Sequence, residues 1–245
     1  MLKTKNLSHS FGKFRVINDV NFSISEKEIR AIIGPNGAGK TTFFNLLTGA
    51  LIPQKGKIVF QDQDISKFPI HQRILLGLSR SFQIPNIFYG LDVFENMRLA
   101  VQSRIQRSVS LFKRADHMSQ VLEQTLQLLS EIHLKDKKNY LVGNLSHGDK
   151  RLLEIGLAMG TEPQLLLLDE PTAGLSEEET QKLKDLIKSL SEKYTIIFIE
   201  HDIELVMNLA DKITVLHQGS IIAEGAPEEI KNNAEVQSIY LGRGE

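Results

Sequence analysis

The chain has no cysteine and no tryptophan. Without thiols there are no disulfides, no thiolate metal sites and no cysteine nucleophile, a composition that fits a reducing compartment. Long apolar runs are also missing. The longest clusters, such as Leu165–Leu168 and Thr195–Ile199, fall far below the roughly 18 residues a membrane-crossing helix needs. The first residues, MLKTKNLSHSFG, hold no apolar signal core, so export is not expected. Neither sign of charge dominates. Lys plus Arg number 29 and Asp plus Glu 30, for a formal net charge of −1, which gives no global electrostatic case for nucleic acid. With 41% hydrophobic and 24% charged residues over 245 positions, the composition is that of an ordinary globular protein with a sizeable core.

Periodicity divides the chain into three stretches. Leu2–Leu7 and Val16–Ser25 alternate apolar and polar residues, with the turn-prone HSFGKF between them, so the opening reads as β structure. Strands are also expected at Glu28–Ile33, Lys57–Phe60 and Leu78–Phe82. From Pro85 to about Leu145 the pattern turns helical: Val121, Leu122, Leu126, Leu128, Leu129 and Ile132 fit a helix over Asp116–Leu134. Then α/β alternation returns. Ser146–Met159, Ser176–Leu190 and Ile203–Leu209 read as helices, and Gln164–Leu168, Thr195–Ile199 and Lys212–Leu216 as strands. Strands alternating with helices predict a mostly parallel sheet covered on both faces. The expected organisation is one domain, 1–245. Residues 1–84 and 146–245 would form an α/β core with an N-terminal antiparallel β subdomain, and residues 85–145 a helical insertion.

Two motifs carry chemistry in their own right. GPNGAGKTT runs from Gly34 to Thr42, between an expected strand and an expected helix at Thr42–Leu47. Gly34, Gly39, Lys40 and Thr41 satisfy the phosphate-loop pattern. Glycines let the backbone wrap closely, so the amides of Asn36, Gly37, Ala38 and Gly39 can turn toward phosphate oxygens. The helix N-terminus adds positive potential at Thr41 and Thr42. Lys40 would neutralise β- and γ-phosphate charge, and the Thr41 hydroxyl would ligate Mg2+. The motif fixes a nucleoside triphosphate but does not separate kinases, GTPases and transport ATPases. The second motif is LLLLDE, which puts Asp169 and Glu170 at the end of an apolar strand. Ligands collect at such carboxyl ends in parallel sheets. Asp169 is then expected to hold Mg2+ through its water shell, and Glu170 to orient or deprotonate an attacking water. Two acids capping a strand is the plainer alternative.

Three further segments complete a family pattern: Gln83 after Leu78–Phe82, LSHGDKR from Leu145 to Arg151, and His201 in IIFIEHD. In this order, with GPNGAGKTT and LLLLDE, the chain resembles the ATP-binding cassette (ABC) ATPases of transporters over nearly its whole length. The resemblance implies a P-loop NTPase core and ATP hydrolysis with Mg2+. It also implies a head-to-tail pair of subunits that sandwiches two ATP molecules. Each site would join the phosphate loop of one chain to Ser146, His147 and Gly148 of the other. Gln83 would sense Mg2+ and the attacking water, and His201 would contact the γ-phosphate. Phe11 would stack on adenine, with Phe14 as its rival and Val16 as an apolar neighbour. The expected location is peripheral, on the cytoplasmic face of the membrane, with multi-span permease subunits as partners and a second ATPase subunit, identical or different. No nucleic-acid partner is expected.

Two departures stand out. The family signature LSGGQ has His147 at its third position and Asp149 at its fifth here, and Ser176 stands where the family usually has an aspartate that bridges the subunits. The helical insert, LSHGDKRLLEIGLAM and the ending VLHQGSIIAEGAPEEI resemble importers of branched-chain amino acids and of urea or short amides. LSHG and VLHQG lean toward the urea type. Such subunits grip a cytoplasmic permease helix in a groove near Gln83, where Phe88 and Tyr89 are candidate lining residues. Arg104, Arg107, Lys113 and Arg114 read as a basic stretch without a compensating acid, facing either solvent or lipid headgroups and the permease. Two alternatives use the same phosphate loop: a soluble cassette acting on DNA or ribosomes, and a small-molecule kinase. Neither the short insert nor the LSHGD and His201 segments suit them.

Overall fold

The computed structural model describes residues 1–81, 87–105 and 114–241. Gln83, Arg107 and Lys113 lie outside the described residues. The strands are β1 (Leu2–Phe11), β2 (Phe14–Ile24), β3 (Ile29–Ile33), β4 (Lys55–Phe60), β5 (Gln63–Asp64), β6 (Leu78–Ser81), β7 (Leu165–Asp169), β8 (Thr195–Ile199), β9 (Lys212–His217) and β10 (Ser220–Gly225). The helices are α1 (Lys40–Thr48), α2 (Ile70–Leu75), α3 (Val93–Ile105), α4 (Arg114–Glu131), α5 (His147–Met159), α6 (Glu177–Leu190), α7 (Ile203–Leu209), α8 (Pro227–Lys231) and α9 (Ala234–Leu241).

Two sheets result. The first is antiparallel, in the order β2-β1-β4-β5; the second runs β10-β9-β3-β8-β7-β6. In the second, β9, β3, β8, β7 and β6 pair in parallel, and β10 closes the edge antiparallel to β9. The fold is therefore α/β with a mostly parallel sheet, an antiparallel β layer at the N-terminus and helices inserted after β6. The β9–β10 hairpin was not anticipated from sequence. Its signal is the turn pair Gln218–Gly219, both at positive φ (46° and 79°), the geometry that suits the twist of a two-residue hairpin.

β3, β7 and β8 are buried along their full length, which explains their apolar character; the one charge within β3, Arg30, is paired with Glu28. Their alternate residues feed two cores. Ala31, Ile33, Leu166, Leu168, Ile196 and Phe198 pack on one face with α5, α6 and α7. Ile32, Leu165, Leu167, Ile197 and Ile199 pack on the other with Phe43, Phe44, Leu46 and Leu47 of α1. Leu7, Ile17, Phe22 and Phe60 of the antiparallel sheet join that second core. Helix α1 is thus held between the two sheets.

Its far end is fixed by Arg73, which is fully buried. The guanidinium donates to the carbonyls of Leu46 (2.6 Å), Leu47 (2.7 Å), Phe68 (2.9 Å) and Ser66 (3.1 Å). A cation at a helix C-terminus also suits the dipole. Burial lowers the Arg73 pKa to about 10.

Residues 114–131 form the long helix expected from the apolar spacing. Val121 and Leu129 are buried, whereas Met118 and Leu122 stay exposed, so the apolar stripe is wider than the face that packs. Arg104 corrects one expectation: it is paired with Glu162 at 2.6 Å and with Gln124 at 2.8 Å. A long-range acid therefore compensates it, which sequence spacing does not reveal.

Candidate functional site

The strand order β9-β3-β8-β7 brings three carboxyl ends into a row. After β3 comes Gly34, after β8 His201, and at the end of β7 Asp169 and Glu170. Asp169 and Ile199 sit in register across β7 and β8. Neighbouring strand ends in a parallel sheet thus gather residues that lie more than 100 positions apart.

The phosphate-loop motif runs from the end of β3 into α1. A Cβ on Gly34 would come within 2.1 Å of the Leu216 carbonyl oxygen, so only glycine fits there. Gly39 has φ 102°, and its Cβ would lie 2.7 Å from the Val16 carbonyl oxygen. Gly39 caps α1 with no side-chain hydrogen bond, and the first turn carries no acid. By contrast, Ser146 caps α5 and Asp202 caps α7 through their side chains. The positive end of α1 therefore has no carboxylate of its own, and its first-turn amides lack intrahelical acceptors.

Asn36, Gly37, Ala38, Gly39, Lys40, Thr41 and Thr42 line a cleft of about 220 Å3 together with Val16, Glu170 and His201. Lys40 is buried and its ammonium donates to the carbonyls of Gly34 (2.7 Å) and Pro35 (3.2 Å). Burial pushes its pKa below the ordinary lysine value, while the Glu170 and Asp169 carboxylates push it back up. His201 Nε2 lies 2.8 Å from Glu170 Oε1. Asp169 is buried and its carboxylate binds Arg80, whose guanidinium also donates to Asn45 Oδ1 at 2.7 Å. Asp169 is not among the residues that line the cleft; its carboxylate and the Thr41 hydroxyl are the kind of oxygen donor that suits Mg2+, which takes few protein ligands and fills its sphere with phosphate and water.

Glu170 adopts φ 45°, an unusual backbone for a non-glycine residue. Its turn is held from two sides. Glu200 is buried; its carboxylate accepts from the Thr172 amide (2.8 Å), the Thr172 hydroxyl (2.6 Å) and the His201 amide (3.1 Å). Arg151 donates to main-chain carbonyls on the other side. Sequence reasoning passed over Arg80, Arg151 and Glu200. The only signal was adjacency: each lies within a few residues of a motif residue.

Ser146 and Gly148 are at the start of α5, outside the cleft lining. The Ser146 hydroxyl accepts from the Asp149 amide at 3.1 Å, and the Gly148 amide donates to Glu179 at 3.1 Å. His147 Nε2 sits 3.3 Å from the Ala173 carbonyl oxygen. Ser176 caps α6 in a reciprocal box with Glu179, a role that an aspartate would also fill. Phe11 and Phe14 face each other across the β1–β2 hairpin and are exposed; of the three candidate adenine neighbours, only Val16 reaches the cleft.

A second cavity, about 280 Å3, opens between β6, α3 and α5. Arg80, Phe88, Asn96 and Glu154 are in its wall. Phe88 is in its lining; Tyr89 is exposed but not in the lining, and lies under Lys150.

These features match known proteins. A family model described as ABC transporter matches residues 17–173, and one described as branched-chain amino acid ATP-binding cassette transporter matches residues 220–245. The chain is 39% identical to the high-affinity branched-chain amino acid transport ATP-binding protein LivG of Escherichia coli, covering 99% of this chain and 98% of that protein. It is 37% identical to BraF of Pseudomonas aeruginosa, a protein of the same description, with the same coverage. Among solved structures, an ATP-binding cassette of an ABC transporter in its ADP conformation matches with TM-score 0.86, 28% identity and 99% coverage of both chains. A nucleotide-free cassette matches with TM-score 0.84, 30% identity and 98% coverage of both. The chain belongs to the ABC transporter family and is an ATPase of that family.

Proposed function

We propose that this chain is the ATP-hydrolysing subunit of an importer, acting as one half of a head-to-tail pair docked on multi-span membrane subunits. The Gly34–Thr42 loop cradles the triphosphate, and Lys40 turns from its two carbonyls to the β- and γ-phosphates. Thr41, Asp169 and Gln83 would hold Mg2+, which would supply charge neutralisation to the phosphates. Glu170 takes a proton from the attacking water as the water oxygen bonds to the γ-phosphorus and the bond to the β-phosphate oxygen breaks, leaving ADP and phosphate. His201 fixes the Glu170 carboxylate and reaches the γ-phosphate.

The observation that carries this reading is the 2.8 Å His201–Glu170 hydrogen bond in the wall of the phosphate-loop cleft. Ser146 and Gly148 close the partner's site. The Gly148 amide now donates to Glu179, and that carboxylate would have to give way for a phosphate to take its place at the helix start. Val16 is the apolar neighbour of the adenine, with Phe11 moving over it when nucleotide binds.

No described helix is long and apolar enough to cross a membrane, so attachment would come through partners on the cytoplasmic face. The permease helix would enter the 280 Å3 groove beside Phe88 and Glu154. The relatives reported above are named for branched-chain amino acids, which favours that cargo over urea or short amides. Detergent extraction followed by pull-down of the tagged chain tests the assignment. A multi-span membrane protein should co-purify, and cells lacking the chain should lose leucine uptake with urea uptake intact. Loss of urea uptake alone would reassign the cargo; co-sedimentation with ribosomes or nucleic acid in place of a permease would sink the importer reading.

A further inference from the structure

Glu170 has a left-handed backbone, φ 45°, and such conformations persist only where the surroundings hold them. Besides backbone bonds and Glu200, one side chain grips three residues of this turn. The Arg151 guanidinium donates through Nε to the Pro171 carbonyl (2.9 Å) and through Nη2 to the carbonyls of Asp169 (3.0 Å) and Glu170. Three consecutive carbonyls thus converge on one cation. Its remaining nitrogen, Nη1, is tied to Glu154 at 2.7 Å, and both side chains are nearly buried, 11% and 10% exposed. Glu154 stands in the wall of the groove between β6, α3 and α5. Arg151 itself belongs to α5, the helix that begins at Ser146. A planar guanidinium with fixed donors suits this fork better than an ammonium.

We propose that Arg151 is a positioning residue for Glu170: it fixes the Asp169–Pro171 turn and so aims the Glu170 carboxylate. Arg151 is not itself among the residues that line the cleft and meets that lining through the Glu170 main chain, so it acts on turnover through Glu170 and leaves nucleotide binding alone. This inference rests on Glu170 being the base that activates water. It also makes α5 rigid with the Glu170 turn, so the helix that closes the partner's nucleotide and the acid that serves its own move as a unit.

The test is steady-state hydrolysis and nucleotide titration for Arg151→Met, Arg151→Lys and Glu170→Gln, with Arg151→Met also made in the Glu170→Gln background. Arg151→Met should lower kcat by about 10- to 100-fold, the scale expected when a catalytic group is misplaced by about 1 Å, with ATP affinity unchanged. Arg151→Lys should recover part of the loss. In the Glu170→Gln background, Arg151→Met should cost nothing further, since the group it aims is gone. Thermal midpoints with nucleotide bound confirm that each variant is folded. The proposal is overturned if kcat of Arg151→Met stays within twofold of the parent, if ATP affinity falls in step with kcat, or if the two substitutions prove multiplicative. Undiminished turnover in Glu170→Gln alone would instead remove the base assignment itself.

Discussion

Arg73→Met removes a cation that closes the C-terminal end of α1. Arg73 is fully buried and has no acid partner among the described residues; its acceptors are the carbonyls of Ser66, Phe68, Leu46 and Leu47. Methionine fills most of the volume but supplies no donor; Leu46 keeps the Gly49 amide (3.4 Å), and the other three oxygens face an apolar wall. An orphaned buried acceptor costs about 1–3 kcal/mol, so three cost roughly 6 kcal/mol in the middle of that range. Against this stands the burial of the charge. Lowering the Arg73 pKa to about 10 corresponds to roughly 3 kcal/mol that the charged form no longer forfeits. The net loss is on the order of 3 kcal/mol, or about 6–12 °C in thermal midpoint for a chain of this size. Arg73→Lys keeps a charge but not the fork, and should fall between. Nucleotide affinity measured well below melting should change by less than about threefold, because terminal helix effects fade within a turn. Calorimetry of the three proteins, with and without MgATP, reads both quantities. A midpoint for Arg73→Met within about 2 °C of the parent would refute the claim that these hydrogen bonds anchor α1.

Lys40→Met should weaken ATP binding by about 100-fold or more, the loss of a charge-assisted contact to phosphate, measurable by titration calorimetry; unchanged affinity would contradict the phosphate-loop role. The pH dependence follows from the depressed Lys40 pKa. The ammonium deprotonates below the usual 10.5, so ATP affinity should fall with rising pH earlier than a free lysine would dictate. Stability of the nucleotide-free chain moves the other way: the folded state binds fewer protons in the window below 10.5, so the Lys40 contribution improves as pH rises through it. Gly34→Ala drives a Cβ to 2.1 Å from the Leu216 carbonyl oxygen and should displace the loop, costing nucleotide binding and lowering the thermal midpoint together.

Local features were legible in the sequence because local chemistry sets them. The strand–glycine turn–helix at 29–48 declares itself through a buried apolar run, a loop only glycine can make and a helix with an uncapped positive end. Ser146 and Ser176 were readable as helix starts, and both cap through their side chains. The residues that hold the site together were not readable, since their partners are far away in sequence: Arg80 finds Asp169, Arg151 finds the carbonyls after β7, and Glu200 finds Thr172. A charged residue beside a motif looks like surface until the sheet brings its partner to it. Arg104 misled for the same reason, its acid lying at Glu162. Of the candidate adenine neighbours Val16 lines the cleft while Phe11 stands exposed at the hairpin tip, a distinction that strand alternation alone does not supply.

In the proposed mechanism Glu170 is the group that activates water over a triphosphate held by Gly34–Thr42. Its most direct test pairs MgATP titration with phosphate release for Glu170→Gln. The variant should bind MgATP as tightly as the parent and release phosphate about 100- to 10,000-fold more slowly, the range expected for loss of a general base. Phosphate release at the parental rate, with binding intact, would contradict the account.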